Sequence, residues 1–464
     1  MLKFLLPAPD STEKIPEKDI SREYKKGQVY VLGCTSLVYI GYYIIRLIFT
    51  VQQNDIAKQY GFSLGQIGTI LSMFGIGYGI SKLIMGTLTD RVHPNRYVAA
   101  GLLISAVINS MYATTSNFSV IITLMLLNSL MQGIGAAACQ RLISLWFGRK
   151  AQGSIMARGA AFAIWSSAHN AGAFMCVLVI NISSLFFGDS LKWTFWTASI
   201  VSVMIAIIVL IFGRDRPTTM GLPTIEEYSE DKLSHAGEEV SKESVFFVFF
   251  EHILKNKLVW LVIITSVSIY VVRYGVMSWI PSYLVEEKGF ESSTAKWLTG
   301  IFELAAVPGV IFIGFITDLL KGRRAIMVLI SLIMMLACLT LYFKAENSTV
   351  IVVNLLLMGT FIYAPATIVG LMVNEAVPKF ANGMSTGTMG FCQYIVGEVT
   401  ATLIIGWVVQ TYGWSYGSLI VYTFAIIAII TSIYIVIYQS KIYKEAEQAN
   451  MKLTNDSQRV KRMF

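Results

Sequence analysis

Charge is what this chain has least of. Only 14% of its 464 residues are Asp, Glu, Lys or Arg, against about a quarter in an ordinary soluble globule. With 55% hydrophobic residues, there is too little polar material to cover a water-facing surface. Paired cysteines are missing too: Cys34, Cys139, Cys176, Cys338 and Cys392 all fall in apolar runs. None has the short spacing of a disulfide framework or a thiolate metal site, so neither a metal nor a cofactor is expected. The excess of bases, a net +8, is spread through connecting segments and the tail and forms no single stripe. Nucleic acid is therefore not an expected partner. No nucleophile has a base beside it and no Gly-rich phosphate loop is framed by strand and helix, which argues against an enzyme. The first 28 residues lack the short apolar core of a secretory leader. Both this segment and the stretch 441–464 are charged, so both ends are expected on the cytoplasmic side, with an even number of crossings between them.

What is abundant is uncharged hydrophobic length. Runs of the ~20 residues that span a bilayer as a helix fall at 29–53, 63–88, 97–114, 118–141, 157–183 and 192–212, then at 257–285, 295–318, 325–343, 348–373, 383–409 and 414–439. The expected fold is an all-α membrane protein of twelve transmembrane helices in two homologous six-helix halves. The divisions are a cytoplasmic segment 1–28, a first half 29–212, a solvated linker 213–256, a second half 257–440 and a tail 441–464. Bases gather in alternate connections, at Arg91 and Arg96, Arg149 and Lys150, Lys321, Arg323 and Arg324, and Lys379. These mark the cytoplasmic face. The halves echo one another. Gly86-Thr-Leu-Thr-Asp90 recurs as Gly314-Phe-Ile-Thr-Asp318, 228 positions on, and Arg46 recurs as Arg273, 227 positions on. Duplicated halves with a substrate site between them are a transporter architecture.

A charge within a spanning helix costs about 2.5 to 3.5 kcal/mol to insert, so such charges point to function. The deep ones are Arg46, Lys82, His169, Arg273, Glu303 and Glu398. Arg46 follows Tyr42 and Tyr43, and Arg273 lies between Tyr270 and Tyr274. One guanidinium from each half, facing across a central axis, suits a phosphate dianion, because each planar fork donates two charge-assisted hydrogen bonds and keeps its proton. The competing reading is that each arginine snorkels or pairs with a buried acid such as Glu303. His169, beside Ser166 and Asn170, suggests a polar face on a water-filled path, and its ordinary pKa near 6.5 would make binding pH-sensitive. Tyr78, Lys82 and Tyr363 are candidates for the same path.

These residues carry a resemblance. Tyr42-Tyr43-Ile-Ile-Arg46, Tyr78-Gly-Ile-Ser-Lys82, Ala168-His169-Asn170, Val272-Arg273-Tyr274-Gly and Ile362-Tyr363-Ala-Pro365 occur in the order seen in the organophosphate:phosphate antiporters of the major facilitator superfamily. The resemblance runs from Leu5-Leu-Pro-Ala-Pro9 through Gly221-Leu-Pro-Thr-Ile-Glu-Glu-Tyr228 into the last span. It implies the major facilitator fold in a bacterial cytoplasmic (inner) membrane. It also implies a phosphate clamp of Arg46 and Arg273 assisted by His169, with Lys82, Tyr42, Tyr78, Glu303 and Tyr363 lining or gating the path. The loops after the second and eighth spans resemble the superfamily signature, so Asp90, Arg91, Asp318 and Arg323 are expected to couple helix ends at the cytoplasmic gate. Two positions depart from the pattern: Leu47 stands where a lysine is common, and Ser166 where an asparagine is common. Both bear on the organic part of the substrate.

The expected activity is exchange of a small organophosphate (glycerol-3-phosphate, a hexose phosphate or a phosphoglycerate) for inorganic phosphate, by a carrier functional as a monomer. In an empty carrier two unpaired cations would face each other and oppose closure until phosphate neutralises them. Two other readings fit the same residues: a sugar-phosphate sensor of this fold, or a proton-coupled symporter of an organic anion with Glu303 or Glu398 carrying the proton.

Overall fold

The computed structural model describes residues 2–6, 8–89, 92–148, 153–229, 245–319, 324–378 and 381–461, and among these residues there is no strand. The dominant elements are α1 (Glu17–Val51), α2 (Leu64–Thr89), α3 (Pro94–Met111), α4 (Phe118–Trp146), α5 (Arg158–Phe187) and α6 (Leu191–Phe212), then α7 (Lys257–Met277), α8 (Ser292–Leu319), α9 (Arg324–Lys344), α10 (Ser348–Glu375), α11 (Asn382–Tyr412) and α12 (Trp414–Lys461). Helix is the form expected of apolar chain in hydrocarbon, where each backbone N–H and C=O must be satisfied internally. Asparagine starts several of these helices. Asn117, Asn256 and Asn347 accept from the first free amides of α4, α7 and α10, groups that otherwise have no intrahelical partner. Among the described residues, eleven of the twelve are long and apolar enough to cross a bilayer. The other, α2, has 26 residues, about 39 Å of helix, and packs in the same bundle. The outward faces are apolar, with Ile211, Ile311, Phe312 and Ile437 all more than 60% exposed.

Three elements differ from the sequence pattern. α1 begins at Glu17, well before the first apolar run, because Pro16 sets its start, acids occupy its first turn and Tyr24 packs on Trp146 and Tyr228 with ring centres 5.4 and 4.1 Å away. α7 stops at Met277, and the chain resumes as a short helix, Ile280–Glu286, with Pro281 in its first turn, where the missing N–H costs nothing. α11 is wound wide over Gln393–Glu398 and Thr400–Ile404, which are π-helical.

The segment expected as a solvated linker is docked over 213–229. Arg216 donates to the Ala8 carbonyl at 2.6 Å, Thr218 to Asp10 at 2.6 Å, and the amides of Ser11 and Ile15 reach the carbonyls of Thr218 and Gly221. The amino-terminal segment is thereby strapped beneath the first six helices. Asp215 is buried there, 3.5 Å from His93. Burial pushes the His93 imidazole below its ordinary pKa and the Asp215 carboxyl above its own.

The first six and last six helices meet through α2 with α11 and α5 with α8. A Cβ on Gly68 would collide with the Thr402 carbonyl, and one on Gly75 would press on Tyr394 and Glu398. Small residues here let two backbones approach as they do in tightly packed membrane helices. Polar contacts pin one end of this seam. Gln53 donates to the Ser278 carbonyl at 2.8 Å, Asn54 to that of Pro281 at 2.9 Å, and Ser282 to Asn54 at 2.7 Å. Lys296 pairs with Asp55, and Gln410 accepts from the Gly65 amide at 2.7 Å.

Candidate functional site

α1 brings Tyr39, Tyr43 and Arg46 to one face at helical spacing, and α7 does the same with Tyr270, Arg273 and Tyr274. The two faces meet at mid-bundle. Arg46 is 6% and Arg273 7% exposed, and the two share one tyrosine. Arg46 Nη2 donates to Tyr274 Oη at 2.8 Å, while Arg273 Cζ lies 5.3 Å from the centre of the same ring. Aromatic faces surround both cations. The rings of Phe74 and Tyr78 are 4.4 and 4.7 Å from Arg46 Cζ, and that of Tyr363 is 4.1 Å from Arg273 Cζ, distances at which a ring quadrupole attracts a cation. Arg273 Nε is buried without an acceptor.

The other expected residues sort themselves around this pair. His169 is half-buried on α5, its ring 5.2 Å from Tyr43 and 5.8 Å from Tyr363, with Nδ1 against the Ser166 carbonyl one turn earlier. Ser166 is exposed. Lys82 Nζ sits 5.0 Å from the Tyr394 ring and 5.6 Å from Tyr78. Glu303 is 1% exposed and accepts from Tyr363 Oη and, at 3.2 Å, from Asn170. It thus joins α5, α8 and α10.

Tyr42 is a correction. Its hydroxyl donates to the Val98 carbonyl at 2.9 Å, and its ring fills a slot beside Gly135 and Gly101. It therefore packs within the first six helices, and Tyr43 is the tyrosine that faces Arg46, at 5.3 Å. The expectation of two unpaired cations also changes. Arg46 is 3.7 Å from Glu398, so the acid that meets an arginine belongs to α11. Asp90, Arg91 and Arg323 lie outside the described residues, and Asp318 is in the last turn of α8.

Sequence reasoning names Glu398 among the deep charges, and as a possible proton carrier, but does not place it on the phosphate site; it names Tyr274 only as a neighbour of Arg273, and it leaves out Tyr394 and Phe74. Tyr394 lies one turn before Glu398, while Phe74 has no charge near it in the sequence. Among the described residues, no group of three His, Cys, Asp or Glu side chains could hold a metal ion. The arrangement presents fixed positive charge and hydrogen-bond donors inside a bundle, equipment for holding an anion rather than for making or breaking bonds.

Comparison with known proteins places this arrangement. The Major Facilitator Superfamily profile matches residues 31–401 and 284–457. A glycerol-3-phosphate transporter of Bacillus subtilis is 33% identical over 438 residues, covering 93% of this chain and 97% of its own. A phosphoglycerate transporter protein of Salmonella typhimurium is 30% identical, with 88% and 89% covered. The hexose-6-phosphate:phosphate antiporter of Escherichia coli is 29% identical, with 80% and 81% covered. In solved structures, a bacterial homologue of the human lysosomal transporter Spinster, in an inward-facing occupied conformation, matches with a TM-score of 0.69 over 90% of this chain and 97% of its own. At 13% identity that likeness is one of fold. A multi-pass helical bundle with paired arginines at its centre and relatives that carry organophosphates has one placement: the chain is a transporter of the Major Facilitator Superfamily and belongs to its organophosphate:phosphate antiporters.

Proposed function

We propose that this protein exchanges a small organophosphate for inorganic phosphate across a bacterial cytoplasmic membrane, with Arg46 and Arg273 as the phosphate clamp. The observation that carries this reading is the convergence of both guanidinium groups on Tyr274. One comes from each set of six helices, and a phosphate entering between them would exchange hydrogen bonding to a neutral phenol for bonds in which donor and acceptor are both charged. His169, Lys82, Tyr78 and Tyr363 border the same space, Ser166 lies at its rim, and Glu303 braces the α5, α8 and α10 side of the chamber.

Transport is by alternating access. Twelve spans form two halves, 29–212 and 257–440, joined by 213–256, and the halves rock about the clamp. The end pinned by Asp55 and Lys296 is the extracellular one, so the chamber opens towards the cytoplasm, where both termini lie. Asp90, Arg91, Asp318 and Arg323 act at the cytoplasmic gate. The carrier works as a monomer, with the bilayer, phosphate and a phosphorylated metabolite as its partners and no nucleic acid among them. Because Arg46 already has Glu398 beside it, phosphate competes with an internal carboxylate, and exchange is favoured over net movement chiefly through Arg273.

The test is efflux of radiolabelled phosphate from loaded proteoliposomes. External phosphate should accelerate it in the wild type, and Arg46→Lys or Arg273→Lys should lower that rate about 100-fold, since a point charge does not reproduce the planar fork. Normal exchange by either variant would remove the clamp from the mechanism.

A further inference from the structure

The chamber holds two carboxylates whose oxygens differ in what they do. Both oxygens of Glu303 have donors, from Tyr363 and Asn170. Glu398 Oε2 has none: the residue is 4% exposed, and Arg46 Nη2 at 3.7 Å is beyond hydrogen-bond reach. A buried carboxylate oxygen without a donor is destabilising, unless the missing donor arrives with a ligand.

Its setting fits that role. The π-helical turn Gln393–Glu398 is a local irregularity of the kind often found at functional sites. Glu398 borders a small cavity that it shares with Arg46, with an apolar wall, and with Thr50, Tyr274, Ser278 and Thr402, whose hydroxyl oxygens can accept hydrogen bonds. Across Arg46 and Tyr274, Arg273 Nε is a buried donor with no acceptor. The chamber therefore has an unfilled acceptor on one side and an unfilled donor on the other. Its deep charges are three cations, Arg46, Lys82 and Arg273, and two carboxylates.

We infer that Glu398 selects the organic half of the substrate, and that the preferred cargo is a phosphomonoester bearing a primary ammonium group, an amino-sugar or aminoalkyl phosphate. The inference rests on the reading of this chain as an organophosphate:phosphate antiporter. The phosphate takes the Arg273 side and the ammonium donates to Glu398 Oε2. An ester dianion with an ammonium carries a net charge of about −1, which matches the chamber's count. One bearing only hydroxyl groups brings its full negative charge towards Glu398 and leaves that oxygen with a weaker, neutral donor.

The experiment uses wild-type protein in proteoliposomes loaded with radiolabelled phosphate. Half-saturating concentrations for accelerated efflux are compared for glucosamine 6-phosphate against glucose 6-phosphate, and for 2-aminoethyl phosphate against 2-hydroxyethyl phosphate. The expected result is a preference of about tenfold or more for each amino compound. Glu398→Gln should bring the ratio close to one, and Glu398→Asp should preserve it. Equal or better use of the hydroxyl compounds by the wild type, with phosphate self-exchange running, overturns the inference and leaves the antiporter reading standing. Preference for amines that persists in Glu398→Gln removes Glu398 from the selection. If Glu398→Gln does not assemble, the wild-type ratio and Glu398→Asp decide. Absence of phosphate self-exchange in the wild type overturns the antiporter reading and the inference with it.

Discussion

At the scale of single residues, adjacent positions on one helix have opposite consequences. Tyr42 and Tyr43 differ by about 100° around α1, which sends the first into the slot between α3 and α4 and the second to Arg46. Tyr42→Phe removes one buried hydrogen bond. We expect it to lower stability by about 1 kcal/mol, read as an earlier detergent-solubilised unfolding transition, with phosphate exchange within about twofold of wild type. Tyr363→Phe removes the hydroxyl that donates to buried Glu303 while keeping the ring over Arg273. An under-satisfied buried carboxylate costs more than a lost neutral bond, so exchange should fall about tenfold with the protein still folded, as size-exclusion chromatography would report. Paired results of the opposite order would show that the two tyrosines had been assigned to the wrong faces.

At the scale of elements, the crossing of α2 and α11 depends on glycine. Gly68 meets backbone, which cannot swing aside as a side chain can, so Gly68→Val should part the helices at the pinned end. Thr50 is buried behind that end. A Thr50→Cys reporter should react with a membrane-impermeant maleimide about tenfold faster in the Gly68→Val background than without it. An unchanged rate would mean the seam tolerates the extra volume. The strap at the other end rests on Arg216, bonded to the Ala8 carbonyl and 3.5 Å from Asp10. Arg216→Ala should release residues 8–15 and raise the rate of tryptic cleavage at Lys14 several-fold, because proteolysis follows local opening, while cleavage elsewhere stays constant. The docking of 213–229 was not legible beforehand: its acids and bases look like solvated chain, and only the partners 8–15, some two hundred residues away, reveal where they go.

At the scale of the whole molecule, the ion pair of Asp55 with Lys296 is one of the contacts joining the first six helices to the last six. The two side chains are 32% and 13% exposed, so the pair is worth about 0.5 to 1 kcal/mol. Asp55→Asn should therefore shift the population closed at this end by roughly two- to fivefold, seen as faster Thr50→Cys labelling. The exchange Asp55→Lys with Lys296→Asp should recover the wild-type rate, as a direct pairwise term requires. Failure of that double exchange would mean the closure is carried by Gln53, Asn54 and Gln410 instead. The fold class was open to reading from the chain alone, because hydrocarbon thickness dictates the length of each apolar run and lipid permits only helix or closed barrel. The positions of the buried charges were equally plain, since a charge stands out in an apolar run whatever surrounds it. Which of them meet was decided only by the tertiary structure. Glu398 faces Arg46, while Glu303 is held by Tyr363 and Asn170. Those pairings depend on how each helix is rotated about its axis and where it crosses its neighbour, and no local pattern in the sequence encodes either.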